Sequence, residues 1–253
     1  MSVRIAGIAG LAAALAVAGP AYAQKSADTI RMAINDMFPL VDPYNFPQDE
    51  QTSFNIAVYQ GLVNYDEHNG KYVNSSAKAW RRIDDKTLEF DIKEGIKFHN
   101  GDELTAADFK ATYEWAADEK TRIRFKENFT WLDSVEVLGP YKIRIHSKRL
   151  NQGDLFRFAY SMRVMNKKAL ESIENPLEYG RLAPIGTGPY KVVSIDKTKG
   201  VLVERFDGYR NDPTDYARAP VKRVQGIPMP DRQSTAGATA DRRARSDPKR
   251  AAG

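Results

Sequence analysis

Apolar and polar residues alternate in short runs along most of this chain, which is the pattern of β-strands. The first run covers residues 28–35 and is predicted to place Ile30, Met32 and Ile34 on one face. Later runs come in four pairs, each separated by a short turn sequence, and each pair predicts a β-hairpin. The predicted strands are 62–65 with 71–73, 79–83 with 87–92, 135–138 with 141–147, and 190–195 with 201–206.

Three segments have the spacing of helices instead. Residues 51–60 predict a short helix with Phe54 inward, and residues 166–173 predict another. Thr105 is predicted to cap a third helix, with Asp108 in its first turn. The resulting order of strand, helix, hairpins, helix, hairpin, helix and hairpin predicts an α+β fold, because a parallel α/β sheet would show regular alternation of strands and helices.

The beginning of the chain carries an export pattern. Arg4 is followed by an apolar, alanine-rich run at 5–18 and by the motif Ala21-Tyr22-Ala23, after which the chain becomes polar. This is the arrangement of a secretory signal peptide. The apolar run is shorter than a membrane-spanning helix, which needs about 20 residues. We expect residues 1–23 to be removed on export to the periplasm, so that the mature chain begins at Gln24.

The last residues differ sharply in composition from the rest. Residues 231–253 contain no Val, Ile, Leu, Met, Phe, Tyr or Trp, so they cannot bury an apolar face and are predicted to be disordered. They also contribute three of the five excess positive charges of the chain, and Arg4 contributes one more. The body is therefore nearly neutral and lacks the basic surface that a nucleic-acid partner requires.

The sequence contains no pattern for catalysis or for a metal. The three histidines, His68, His99 and His146, lack metal-ligand spacing to one another, and the chain has no cysteine. The glycine-rich run at 186–191 lacks the third glycine of a dinucleotide-binding motif and precedes a predicted strand. We therefore assign no catalytic residue, no metal site and no cofactor.

Four segments together carry a family resemblance. They are VYQGLV at 58–63, GIKFHNGDELTAADF at 95–109, PIGTGPYK at 184–191 and VERFDGY at 203–209. In this order behind an export signal, they resemble the family 5 extracellular solute-binding proteins, the dipeptide-, oligopeptide- and nickel-binding group.

The resemblance implies an incomplete fold of the periplasmic-binding-protein type II kind. Residues 24–49 would supply the first strand and cleft loop of lobe I, residues 50–165 its hairpin-rich subdomain, and residues 166–230 the return to lobe I. Chains of the family then enter a second lobe, whereas this chain continues into the polar tail at 231–253. The composition of that tail suggests a frameshift or a truncation.

The function implied by the resemblance is solute capture for an ABC importer. A peptide or other small solute would be enclosed between two lobes, and the closed protein would dock on the inner-membrane permease. We expect a monomer with no nucleic-acid partner. Two alternatives remain, a non-functional fragment and a periplasmic enzyme of unknown type. The sequence does not decide between a peptide, a nickel complex and another solute.

Three stretches would line the lobe I side of the cleft: the loop at 37–45, the region near Phe129, and residues 160–164. Aromatic residues in loops are better candidates for solute contact than those in strands, most of which are expected in the core. The candidate ligand-binding residues are Met37, Phe38, Asp42, Tyr44, Phe129, Trp131, Met162 and Arg163.

Overall fold

The computed structural model describes residues 28–34, 41–45, 49–124, 126–150, 153–175, 178–182, 184–210 and 219–229. These residues form an α+β fold with ten strands and five helices. The strands are β1 (Thr29–Ile34), β2 (Val63–Asp66), β3 (Lys71–Asn74), β4 (Ala77–Asp84), β5 (Thr87–Ile92), β6 (Leu132–Gly139), β7 (Lys142–Ser147), β8 (Tyr190–Asp196), β9 (Gly200–Arg205) and β10 (Arg223–Pro228). The helices are α1 (Asp49–Val58), α2 (Ala106–Ala117), α3 (Asp154–Tyr160), α4 (Lys167–Glu171) and α5 (Tyr179–Leu182).

The strands form three sheets. One has the order β1-β10-β9-β8, a second contains β2 and β3, and the third has the order β4-β5-β7-β6. The pairs β2–β3, β4–β5, β6–β7 and β8–β9 are antiparallel, which confirms all four predicted hairpins. The pair β1–β10 is parallel and joins the first described strand to the last.

Turn chemistry explains the β2–β3 hairpin. Gly70 has a φ of 64°, which glycine adopts without the clash that a Cβ atom causes. The carboxylate of Asp66 accepts hydrogen bonds from the backbone N–H groups of His68 and Asn69. These bonds fix the register of the hairpin and therefore the direction in which the side chains of β2 point.

The structure corrects two expectations about strands. Ile30 was expected to share the inward face of β1, yet its side chain is 48 % exposed, and only Met32 and Ile34 turn toward the core. β10 was not predicted as a strand, because Gly226 and Pro228 interrupt its pattern. It forms through pairing with β1 and β9, which are distant in sequence.

The start of α2 has the predicted cap, in the form of a capping box between Thr105 and Asp108. The Asp108 carboxylate accepts from the backbone N–H of Thr105 at 2.9 Å and from its hydroxyl at 3.0 Å. Asp108 also accepts from the backbone N–H of Lys167, at the start of α4. One carboxylate therefore closes the N-terminus of α2 and ties α4 to it.

An aromatic cluster fills the core between the third sheet and α3. The ring centroid of Phe158 lies 5.1 Å from that of Phe90, 5.8 Å from Trp131 and 6.0 Å from Tyr113. Such edge-to-face and tilted pairs add to the stabilisation from apolar burial alone. The cluster fixes α3, and with it the segment that follows α3, against the sheet.

Some predictions concern residues outside the described ranges. These are the signal peptide at 1–23, Met37 and Phe38 of the cleft loop, and the tail at 231–253. Among the described helices, none combines the length and the apolar composition that crossing a bilayer requires.

Candidate functional site

A cavity of about 370 Å³ opens between α1, β2 and α3. It is lined by Ser53, Ile56, Ala57, Tyr59, Gln60, Asn64, Tyr65, Glu67, Ser75, Ala159, Tyr160, Arg163, Pro189 and Tyr190. Its lining combines apolar and aromatic side chains with a small number of polar groups, which is the usual composition of a small-molecule site.

The backbone around Arg163 is held from several sides. Arg163 forms an antiparallel bridge with Gly61, which follows α1. Its carbonyl accepts a hydrogen bond from the Tyr44 hydroxyl, and the neighbouring carbonyl of Met162 accepts from the Tyr113 hydroxyl at 3.0 Å. These contacts set the position of the arginine before any solute enters.

Close packing at Gly61 makes this arrangement possible. A Cβ atom at position 61 would lie 2.5 Å from the carbonyl oxygen of Phe158 and 3.1 Å from that of Met162. Only glycine allows the chain after α1 to approach the end of α3 this closely. The motif VYQGLV therefore has a structural reason for its glycine.

The Arg163 side chain is buried at the wall of the cavity, with 4 % of the residue exposed. One guanidinium nitrogen donates to the Asn64 side-chain oxygen at 3.4 Å, and the other donates to the Ala159 carbonyl at 2.7 Å. Burial lowers the pKa of Arg163 to about 10, partly offset by nearby tyrosines, so the group is still protonated at neutral pH.

Aromatic side chains form one side of the cavity. Tyr65 lies with its ring centroid 5.2 Å from that of Tyr72 and 6.2 Å from that of Tyr160, which in turn lies 4.7 Å from Phe156. Tyr160 and Phe156 are 39 % and 55 % exposed. The row therefore continues from the cavity onto the surface of α3.

Two polar atoms at the cavity wall have unused hydrogen-bonding capacity. Within the described ranges, the side-chain oxygen of Gln60 and the hydroxyl of Ser75 are buried without a hydrogen-bond partner. Both residues line the cavity. Buried polar atoms are normally paired, so a site that leaves two unpaired has capacity for another polar group.

The predicted site residue Asp42 anchors its own turn. Its carboxylate accepts from the backbone N–H groups of Tyr44 and Asn45 at 2.8 and 3.0 Å, and from the Asn45 side chain at 2.9 Å. Burial raises the pKa of Asp42, and these hydrogen bonds oppose the increase. The turn packs against α5, where Gly180 leaves no room for a Cβ atom beside Asp42.

The other predicted residues are buried in the core. Tyr44 packs edge-on against Trp115 and also contacts Phe129, with centroids 5.6 and 5.2 Å apart. Phe129, Trp131 and Met162 are all in the core. Of the six predicted site residues that the structure describes, Arg163 is the one that lines the cavity. Solute contact by the others stays a prediction.

The sequence analysis did not select Asn64 or Tyr65, which the structure places at the cavity. Tyr160 also lines the cavity and belongs to the stretch at 160–164 that was expected to face the cleft, although it was not among the candidate residues. Tyr65 lies on β2, and aromatic residues on strands were expected in the core. Its position beside the Asn69–Gly70 turn was the available signal, because a short hairpin of two strands leaves one face uncovered.

The segments 95–109 and 184–191 meet through His99. The imidazole Nε2 donates to the Gly188 carbonyl at 3.0 Å, and Nδ1 accepts from the backbone N–H of Gly186 at 3.3 Å. This pairing requires the neutral ring, and burial lowers the pKa of His99 to about 4. The two sequence motifs therefore form one structural unit behind α1.

A family model describing the middle part of the bacterial extracellular solute-binding proteins, family 5, matches residues 71–243. The chain belongs to this family. The α+β fold and the family resemblance predicted from the sequence are thereby confirmed.

Curated members of family 5 are similar in sequence to this chain. The glutathione-binding protein GsiB of Pectobacterium atrosepticum is 29 % identical over 205 residues, which cover 79 % of this chain and 38 % of GsiB. The chain thus spans about two fifths of the length of the family 5 relatives it matches.

Solved structures show that the fold is part of a periplasmic-binding-protein type II fold. The oligopeptide-binding protein AppA from Bacillus subtilis, in complex with a nonapeptide, has a TM-score of 0.73 and 23 % identity over 84 % of this chain and 42 % of AppA. An ABC transporter substrate-binding protein from Sinorhizobium meliloti has a TM-score of 0.66 and 26 % identity over 83 % of this chain and 41 % of its own.

Proposed function

We propose that this chain supplies one wall of the solute site in the periplasmic binding component of an ABC importer, and that the solute is a peptide or peptide-like molecule. The observation that carries the proposal is the cavity beside Arg163, which joins aromatic walls to a buried charge. Such a concave, mostly apolar site with a few fixed polar groups suits a small molecule.

The relatives support the choice of solute class. One is named a glutathione-binding protein, and glutathione is a tripeptide. A structural neighbour was solved with a nonapeptide. The relatives named here are binding proteins, and the role proposed for this chain is solute capture without catalysis.

The chain fits this role as the first part of a two-lobe receptor. We assign residues 1–23 to an export signal, residues 24–49 and 166–230 to lobe I, residues 50–165 to its hairpin-rich subdomain, and residues 231–253 to a tail outside the lobe. The complete receptor would pass its solute to a membrane permease. The chain covers 38 % of GsiB and 42 % of AppA, so the complete two-lobe receptor is a proposal.

Within the site, Arg163 is proposed to contact the solute, together with Tyr65 and Tyr160. Tyr44 and Met162 would act by fixing the backbone of the arginine, as their hydrogen bonds indicate. We propose that Asp42, Phe129 and Trp131 pack beneath the residues that line the cavity and help to hold them in position. Met37 and Phe38, which lie outside the described residues, stay proposed solute contacts.

A single wall should bind weakly. A solute held with a Kd of about 1 µM between two walls gains about 8 kcal/mol, and half of this gain corresponds to a Kd of about 1 mM. The whole 253-residue chain is therefore expected to bind peptides in the millimolar range.

Chemical-shift titration by NMR suits such weak binding. Glutathione and a tetrapeptide, added to the isotope-labelled chain up to tens of millimolar, should shift the amide resonances of Tyr65, Tyr160 and Arg163. Resonances of Asn69 and Gly70, at the far turn of the hairpin, serve as the internal control. No shift at the cavity, or shifts spread elsewhere, would contradict solute binding at this site. Micromolar binding would contradict the two-wall account.

A further inference from the structure

We propose that Arg163 pairs with a carboxylate of the solute, so that the site selects anionic molecules. This inference rests on the proposed function, in which the cavity is the solute site. It adds the charge that the solute must carry and the residue that recognises it.

The first argument is the set of partners around the guanidinium. A guanidinium has five N–H donors, and the two bonds described above go to neutral oxygens, on Asn64 and Ala159. Within the described ranges, no Asp or Glu lies within ion-pairing distance of Arg163. The two bonds use two of the five donors, and a solute carboxylate can accept from others.

The second argument is the free-energy cost of burying a charged group without a counter-ion. Two buried carboxylates in the described part of the chain have cations beside them: Asp154 pairs with Arg82 at 2.6 Å, and Glu89 pairs with Lys142 and Arg144 at 2.8 Å. The Asp42 carboxylate is buried among neutral donors instead, and burial raises its pKa. A buried charge without a counter-ion destabilises the protein. A solute carboxylate would provide that counter-ion to Arg163.

The third argument is geometry. The Tyr44 and Tyr113 hydroxyls and the bridge to Gly61 fix the backbone on both sides of the arginine. A fixed guanidinium presents a planar pair of donors that matches the two oxygens of a carboxylate. A site of this kind loses little entropy when the anion binds.

Glu67 also lines the cavity but lies on its exposed side. Water screens its charge there, so it opposes an anion at the buried arginine only weakly. Where a solute carries both a carboxylate and an ammonium group, the Glu67 carboxylate would attract the ammonium group at the exposed side of the cavity.

The test compares pairs of solutes that differ at their carboxyl groups, which are charged in one member and neutral in the other. Glutathione is titrated against its dimethyl ester, and a tetrapeptide with a free C-terminus against its C-terminal amide, with the same NMR readout on the whole chain. The acid forms are expected to bind at least about tenfold more tightly, the effect of one charge-assisted hydrogen bond. The Arg163 Nε–Hε resonance should shift only with the acid forms.

Variants separate local pairing from general electrostatics. Arg163→Gln should bind acid and neutral forms equally, whereas Arg163→Lys should keep part of the preference. Arg181→Gln is the matched control, because Arg181 is half exposed and paired with Glu178, away from the cavity lining. It removes one positive charge from the chain and should leave the preference unchanged.

The outcomes distinguish this inference from the proposed function. Equal shifts at the cavity with acid and neutral solutes overturn the carboxylate pairing and leave solute binding in place, with the arginine serving another partner. No cavity shift with any solute overturns both. The comparison of solutes on the unchanged chain stays decisive even where Arg163→Gln fails to fold.

Discussion

The described structure buries two charges in opposite ways. In the third sheet, the Glu89 side chain is 1 % exposed and has Arg81, Lys142 and Arg144 around it. At the cavity, Arg163 is as deeply buried but has neutral hydrogen-bond partners. The first charge is balanced by the fold itself and serves stability. The second is positioned by the fold without being balanced, which is what a binding group requires.

The largest expected effect is a loss of stability at acid pH, and it depends on the protonation of His99. Folding keeps His99 neutral down to about pH 4, whereas the unfolded chain binds a proton at this residue below about pH 6.5. The unfolded state therefore binds more protons between these values, and stability falls as the pH decreases through this window. The loss is expected to approach about 3 kcal/mol.

Urea unfolding at a series of pH values measures this loss. His99→Gln should flatten the dependence between pH 6.5 and 4, whereas His68→Gln, which changes an exposed histidine, should retain it. An unchanged slope in His99→Gln would contradict the neutral bridge between the two motifs.

Removing the balanced charge should have the next largest effect. Glu89→Gln leaves three cations without their common partner and is expected to cost about 2 kcal/mol, less than a fully buried pair because the cations are partly exposed. Its three cations hold the pKa of Glu89 at about 2, so its contribution is complete above about pH 4.5 and is lost as the pH falls toward 2.

Asp91→Asn provides the control for Glu89, since Asp91 contacts only Lys142 of this group and is 38 % exposed. Its change in unfolding free energy should be small. Equal effects of the two substitutions in denaturant unfolding would mean that the burial of Glu89 does not matter.

Loss of the Tyr44 hydroxyl tests how the unbalanced charge is positioned. Tyr44→Phe leaves the Arg163 carbonyl without its donor and is expected to cost about 1 kcal/mol. It should also broaden the Arg163 Nε–Hε resonance. Tyr59→Phe removes a comparable bond to the Val41 carbonyl and should lower stability without that spectroscopic change.

Removing the unbalanced charge should have the smallest effect on stability. Arg163→Met loses two hydrogen bonds but also removes the cost of a buried charge, so the unfolding free energy should change by less than about 1 kcal/mol. A loss of unfolding free energy as large as that expected for Glu89→Gln would contradict the difference proposed between Arg163 and Glu89.

Local signals explain which parts of the fold could be predicted. The four hairpins follow from alternation and turn residues, both of which operate over a few positions. α3 was missed because its seven residues are too short to show a helical period, and packing of Phe158 in the aromatic cluster defines it. β10 was missed because its stabilising partners are distant in sequence.

Among the residues that line the cavity, Arg163 was a named candidate, and Tyr160 belongs to the stretch predicted at 160–164. The family resemblance placed both residues in a cleft-facing stretch, and the structure places them at the cavity. Loop position did not distinguish Tyr44 or Trp131 from exposed aromatics, because burial of a loop residue depends on which elements fold over it.

The parallel pairing of β1 with β10 has a consequence for the order of folding. Thr29 pairs with Arg223, which closes a chain segment of about two hundred residues, and such distant contacts form slowly. The hairpins can form before β1 pairs with β10. Amide hydrogen exchange during refolding should therefore protect β5 and β7 early and β1 last, which leaves the first strand accessible to other proteins throughout the process.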